Sequence, residues 1–384
     1  MHPRDHRRVA RVRPLFRPVV LFALVVAFGV HPPAVGATES SPGAWRDWVG
    51  DTGRRYGHVA VGLGDGRLLA AGGFDDTRDG LLASAVLFDP SGGVTRIDDM
   101  SVPRYHPAGA LLDDGSVLVT GGYGGQGSAD RYIPALDRWI TAAAMRTPRW
   151  AHTATVLGDG RLLVVGGASV KELGVDETLR SAEIYDPLSN SWTPTASMGT
   201  ARHSHTATLL ADGRVLMVGG NGSNLVGSQL ASAEIYDPST DTWAPTPDMI
   251  VPRVEHTATL LHDGGVFVAG GAEGDNYWSG SEIFDPGAGQ WIPAGDMLAA
   301  RAGHTATALG DGRIVVAGGL DRWNHALATA EIYDPGTGHR HPATSMAVPR
   351  YLHTATLLGN GRSVAFVGGW NADGATGDVA LFQQ

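Results

Sequence analysis

From residue 58 onward the chain alternates short apolar runs with turn residues, and the alternation itself repeats. One unit opens with the small, β-branched run "HTATLL" (205–210), turns at Asp212-Gly213, continues as "RVLMV" (214–218) and stops at Gly219-Gly220. Asp-Gly between two apolar runs is a strong hairpin signal. After the Gly-Gly comes a loop of variable length. A third run follows, as in "SAEIYDP" (181–187), where Asp-Pro ends the pairing, and then a segment that carries a Trp and runs to a Met, as from Trp243 to Met249. Each unit therefore reads as four strands, a to d, with turn signals every 8–12 residues and no capped helical periodicity. Seven apolar runs end in Gly-Gly: 72–73, 121–122, 166–167, 219–220, 270–271, 318–319 and 368–369. A period near 50 residues predicts a propeller of repeated blades.

Closure of the ring is also legible. Trp139, Trp192, Trp243 and Trp291 each stand ten residues before an Arg that opens the next unit: Arg149, Arg202, Arg253 and Arg301. Trp45 stands ten residues before Arg55, so a lone strand d precedes the first blade. At the other end "DVALFQQ" aligns with strand c and the chain stops. The Trp45 strand is expected to complete the last blade, closing seven blades with no free edge.

These Gly-Gly pairs, the aromatic of "EIYDP" (Tyr185, Tyr236, Tyr333, with Phe88 and Phe284 elsewhere) and the Trp-to-Arg offset resemble the kelch family of β-propellers, and more narrowly bacterial kelch proteins similar to the central domain of galactose oxidase. The resemblance covers about residues 45–384. It implies an all-β, seven-bladed kelch-type β-propeller with four-stranded antiparallel blades, occupying residues 38–384. The oxidases of this resemblance use a tyrosine cross-linked to a cysteine. The chain has no Cys, so that copper-radical cofactor has nothing to form from.

Composition narrows the partners. Residues 1–37 read as a signal peptide: six Arg (4, 7, 8, 11, 13 and 17), an apolar run over 19–30, and small residues Val35 and Ala37 ahead of a cleavage point. A secreted or periplasmic location is expected. Removing that segment leaves 23 basic against 38 acidic residues, near −15. That balance speaks against nucleic acid and against a membrane surface as partners. The absence of Cys excludes disulfides and thiolate metal sites. No cofactor is expected, and a monomer is. "GYGGQG" (122–127) matches a dinucleotide fingerprint only by letters, because no helix opens behind it.

The a–b and c–d turns are short, whereas all length and variation lie after Gly-Gly. A site is therefore expected on the face of the b–c and d–a loops, at the mouth of the central channel. The repeated Arg (55, 104, 149, 202, 253, 301, 350) and the His three residues later (58, 152, 205, 256, 304, 353) recur too regularly for a single site. In the second unit the His falls at +2, as His106. A sevenfold ring holds its side chains too far apart for metal ligation, so no metal is expected. These residues are expected to bond loop carbonyls between blades, with the strand-c acids Asp130, Glu183, Glu234, Glu282 and Glu331 as structural partners. Residues that break the repeat are the better ligand candidates: Phe74, Asp75, Tyr105, Tyr123, Trp150, His203, Asn221, Trp278, Trp323, His325, Tyr351 and Trp370. Aromatics mixed with acids, Asn and His suit stacking on a sugar or small ring. The expected function is a binding or interaction protein for a glycan, small molecule or protein. The alternative is a propeller enzyme (epimerase, lyase, cyclase or hydrolase) with an acid–base site at the channel mouth.

Overall fold

The computed structural model describes residues 43–48, 53–78, 80–89, 92–170, 176–223 and 227–384. The expected signal peptide lies outside them. The described residues form seven four-stranded antiparallel sheets arranged as blades. Blade 4 is typical, with strands Thr206–Leu209, Val215–Val218, Ala233–Asp237 and Thr242–Pro245. Strand d is shorter than the Trp-to-Met span of the sequence: it ends at Pro245, and Met249 sits buried beyond it.

Blade 7 is built from both ends of the chain. Its sheet order runs from Ala44–Trp48 through Val379–Gln383 and Ser363–Val367 to Thr354–Leu357. Trp45 stands opposite Phe382 in that register, and its ring packs on Phe366 and Phe382. The expected closure is therefore present.

The core is divided into seven apolar layers, each between two neighbouring sheets. Strand b is buried on both faces, which accounts for its continuous apolar runs. The layers also carry polar latches. At the outer rim, Nε1 of Trp192, Trp243, Trp291 and Trp45 donates to a carbonyl of the preceding blade: Ala143 (2.8 Å), Ala196 (2.9 Å), Pro247 (2.8 Å) and Thr344 (2.5 Å). Blade 1 has Val94 at this position and blade 6 has Arg340, whose Nη1 makes the equivalent bond to Ala294 at 2.8 Å.

The repeated string has a repeated job. Each of the seven Arg is buried, and its Nη1 donates to the carbonyl of the first glycine of its own blade, at 2.6–3.2 Å. A second bond goes to the carbonyl that opens strand c, as from Arg149 to Ser181 at 3.0 Å. Strand-c acids neutralise four of these guanidiniums: Arg104 with Asp130, Arg149 with Glu183, Arg202 with Glu234, and Arg253 with Glu282. Contrary to expectation, the Arg side chain works within its blade. Its backbone does the bridging, because each Arg carbonyl accepts from the second glycine N–H of the preceding blade at 2.8–3.0 Å. Gly-Gly is required here. Both glycines have positive φ, and a Cβ on Gly166 would lie 2.4 Å from the Arg202 carbonyl oxygen.

The +3 histidines do bridge blades, though to hydroxyls instead of carbonyls. Nε2 of His58, His205, His256, His304 and His353 pairs with Thr354, Thr153, Thr206, Thr257 and Thr305 of the preceding blade, at 2.9–3.1 Å. His152 faces blade 2, which has Ala108 at the Thr position. It pairs instead with Thr120 at 2.8 Å, the residue directly across from Ala108 in the sheet.

Candidate functional site

Two tiers of residues encircle the channel mouth. The outer tier pairs the residue after each Arg with the residue after Gly-Gly of the same blade. In chain order the pairs are Tyr56 with Phe74, Tyr105 with Tyr123, Trp150 with Ala168, His203 with Asn221, Val254 with Ala272, Ala302 with Leu320, and Tyr351 with Trp370, each a one-residue antiparallel bridge. Two candidate sets that are some twenty residues apart in sequence thus become a single collar.

The collar is lopsided. Rings run in sequence from blade 7 through blades 1 and 2 to blades 3 and 4. Trp370 stacks on Tyr351 and on Tyr56, with centroids 5.8 and 5.2 Å apart. Tyr105 packs against Tyr56 at 5.5 Å and Phe74 at 5.9 Å. Trp150 meets Tyr123 at 6.5 Å and His203 at 6.1 Å. Blades 5 and 6 contribute only Val254, Ala272, Ala302 and Leu320. Tyr123, 45% exposed, offers the most open ring of the arc.

Four sequence candidates fall elsewhere. Asp75 is buried and accepts from the backbone N–H and hydroxyl of Thr77, closing its own loop. Trp278 donates its Nε1 to the Pro252 carbonyl at 3.1 Å. Trp323 is 62% exposed with Arg322 over its ring, and His325 leans on Asp321 in the same loop. Neither has a ring contact with the arc.

The inner tier consists of the residues at +2 from each Arg: Gly57, His106, Ala151, Ser204, Glu255, Gly303 and Leu352. All seven have φ between 51° and 62°. Left-handed backbone is easy for Gly and costs other residues about 1–2 kcal/mol. The conformation lets these residues bond one another around the mouth. N–H of His106 donates to Gly57, Ala151 to His106, Ser204 to Ala151, Gly303 to Glu255, Leu352 to Gly303 and Gly57 to Leu352, at 2.9–3.4 Å. Sequence reasoning overlooked this tier because its residue types vary while its backbone angle does not. The only hint was that Gly occurs at two of the seven positions.

The phenols of the mouth are held neutral. Burial, with Asp76 adding to it, raises the Tyr56 pKa to about 12. Burial also raises Tyr105 and Tyr351, reinforced in both by the Glu255 carboxylate and by Tyr56. Hydroxyl donors, aromatic faces and the carboxylates of Asp76 and Glu255 thus share a mouth above a central cavity of about 50 Å³. Such a surface can stack on a ring and bond its polar substituents.

Two family profiles, both described as the Kelch motif, match residues 149–199, 202–250 and 300–347. Those ranges are blades 3, 4 and 6, each beginning at or next to the buried Arg. The chain is a seven-bladed β-propeller that carries kelch motifs. Spermatocyte protein spe-26 of Caenorhabditis elegans is 28% identical over 49% of this kelch chain and 33% of its own length. Kelch-like protein 35 of Mus musculus is 33% identical over 35% of this chain and 22% of its own. The match thus spans a third or less of either relative. Among solved structures, a fungal alcohol oxidase of the AA5 family in complex with copper superposes with a TM-score of 0.73 at 21% identity, covering 89% of this chain and 76% of that one. At that identity the likeness concerns the kelch fold alone. As a class, kelch propellers serve as scaffolds for binding and protein interaction.

Proposed function

We propose that this kelch propeller is a glycan-binding module, with its ligand seated on the b–c and d–a loop face. The supporting observation is the arc of aromatic residues along one side of the channel mouth, in two ring clusters, Tyr351 to Tyr105 and Tyr123 to His203, joined by the backbone bridge between Tyr105 and Tyr123. Aromatic faces lying next to a few fixed polar groups match the two sides of a pyranose, one apolar and one hydroxylated. The scaffold beneath is rigid, because every collar residue lies next to a buried Arg or a Gly-Gly turn. Binding of the protein to an immobilised glycan array provides the test. Trp150→Ala and Tyr123→Ala are expected to weaken the best glycan at least tenfold, since each removes a stacking face without touching an Arg or His latch. Unchanged binding in both variants would exclude this face.

A further inference from the structure

His106 is the one repeat histidine that has left its post. In blades 1 and 3–7 the imidazole at +3 reaches back across the seam to a Thr hydroxyl. In blade 2 the imidazole sits one residue earlier, and Pro107 holds the +3 position. The seam it would have latched is closed by apolar contact, with Val59 packed where a Cβ on Gly109 would lie 3.2 Å away. His106 therefore has no structural latch to make.

Its position carries two costs. Its backbone is left-handed, with φ of 51°. Its side chain is 2% exposed, and among the described residues neither Nδ1 nor Nε2 has a hydrogen-bond partner. A buried unsatisfied polar group costs about 1–3 kcal/mol. The left-handed backbone is common to the whole tier, but the buried imidazole with both nitrogens unsatisfied is specific to this residue and points to a role outside folding. The ring lines the central cavity, packed against Tyr105 at 3.9 Å. Its inner-tier neighbours on either side are small, Gly57 and Ala151, and the absent Cβ of Gly57 makes room for the Tyr105 ring, with His106 Cε1 3.2 Å from where that Cβ would lie.

Resting on the glycan-binding reading above, we propose that His106 is the specificity-determining residue of the channel mouth, hydrogen-bonding a hydroxyl of an uncharged sugar stacked on the aromatic arc. A hydroxyl both donates and accepts, so it satisfies whichever nitrogen faces it. Burial, with nearby His203, holds the ring's pKa down to about 3, so it stays neutral and offers no charge to attract an anion. Glu255 sits in the same tier of the mouth, its Oε2 beside Gly303, and it disfavours an acidic sugar.

Isothermal titration of the whole chain with methyl glycosides of neutral hexoses and with the matching hexuronates decides the matter. The wild type is expected to bind a neutral glycoside at least tenfold more tightly than its uronate. His106→Ala should lose about tenfold or more, because the bound hydroxyl is left unpaired. His106→Asn keeps a donor and an acceptor and tolerates left-handed backbone, and should stay within about threefold of wild type. The thermal midpoint of His106→Ala should not fall, because removing an unsatisfied ring relieves the fold. Wild-type affinity in His106→Ala overturns the inference while leaving the glycan-binding reading intact. So does a falling midpoint combined with failure of His106→Asn to rescue. No binding of any methyl glycoside by the wild type overturns both.

Discussion

The +3 histidines are buried bases that must stay uncharged. Burial pushes the His256 pKa down to about 3 from an ordinary value of 6.5, and His58, His152, His205, His304 and His353 are likewise held well below it. Between those two values the unfolded chain binds more protons than the folded one. The stability supplied by the neutral latches is therefore complete above about pH 6.5 and is lost as the pH falls toward 3. The thermal midpoint should decline steadily from pH 7 to pH 4, and His256→Asn should flatten that slope. A midpoint constant from pH 7 to 4.5 would contradict the buried-neutral reading. The Arg and His of the repeat were legible as structural because every unit has them, whereas the atoms they bond were not. Whether a guanidinium reaches its own blade or the next depends on strand twist, which no spacing reveals.

At the level of the blade, the seven seams are unequal. Most carry an inner His–Thr pair or an outer Trp or Arg bond, and several carry both. The seam between blades 1 and 2 has neither. Val59 replaces the Thr, Pro107 replaces the His, and Trp139 Nε1 has no partner among the described residues. Its strength is apolar: Val59, Val61 and Leu69 of blade 1 pack on Val117, Val119 and Tyr132 of blade 2. Paired substitutions separate the two kinds of seam. Thr257→Val orphans the His304 imidazole and should cost about 1–3 kcal/mol in urea unfolding. Val59→Thr buries a hydroxyl with no imidazole to meet and should also destabilise, by about 1–2 kcal/mol. A gain in stability from Val59→Thr would mean that the seam does hold a polar partner. The missing His and Thr of this seam can be read from the letters, but only once the others are known to touch.

For the whole molecule, closure rests on five residues at the N-terminal end, Ala44–Trp48. Deleting everything before residue 50 strips the outer strand from blade 7, exposes Phe366 and Phe382, and removes the Trp45 bond to Thr344. Such a chain should unfold at a midpoint lower by 10 °C or more and aggregate through the bared edge of Val379–Gln383. Equal stability of the shortened chain would mean that the ring does not depend on that strand. Blade count, strand order and this closure were all legible in the sequence, since each is a matter of period and offset. The lopsided collar was half legible. Its aromatics were named, but their pairing across the Gly-Gly turns and the left-handed tier inside them are properties of the backbone.

Ala44 stands directly opposite Gln383 in the last sheet. The first and last strands of blade 7 in chain order therefore meet as the arms of an ordinary hairpin, and a tight turn such as the one between Asp186 and Ser191 of blade 3 would join Gln383 to Ala44. A polypeptide so joined has no first blade, and circular permutants could take their new termini from any exposed turn on the opposite face. The linear order of the blades is thus incidental to the geometry of the mouth, and a fusion partner joined at Gln383 hangs on the face away from it.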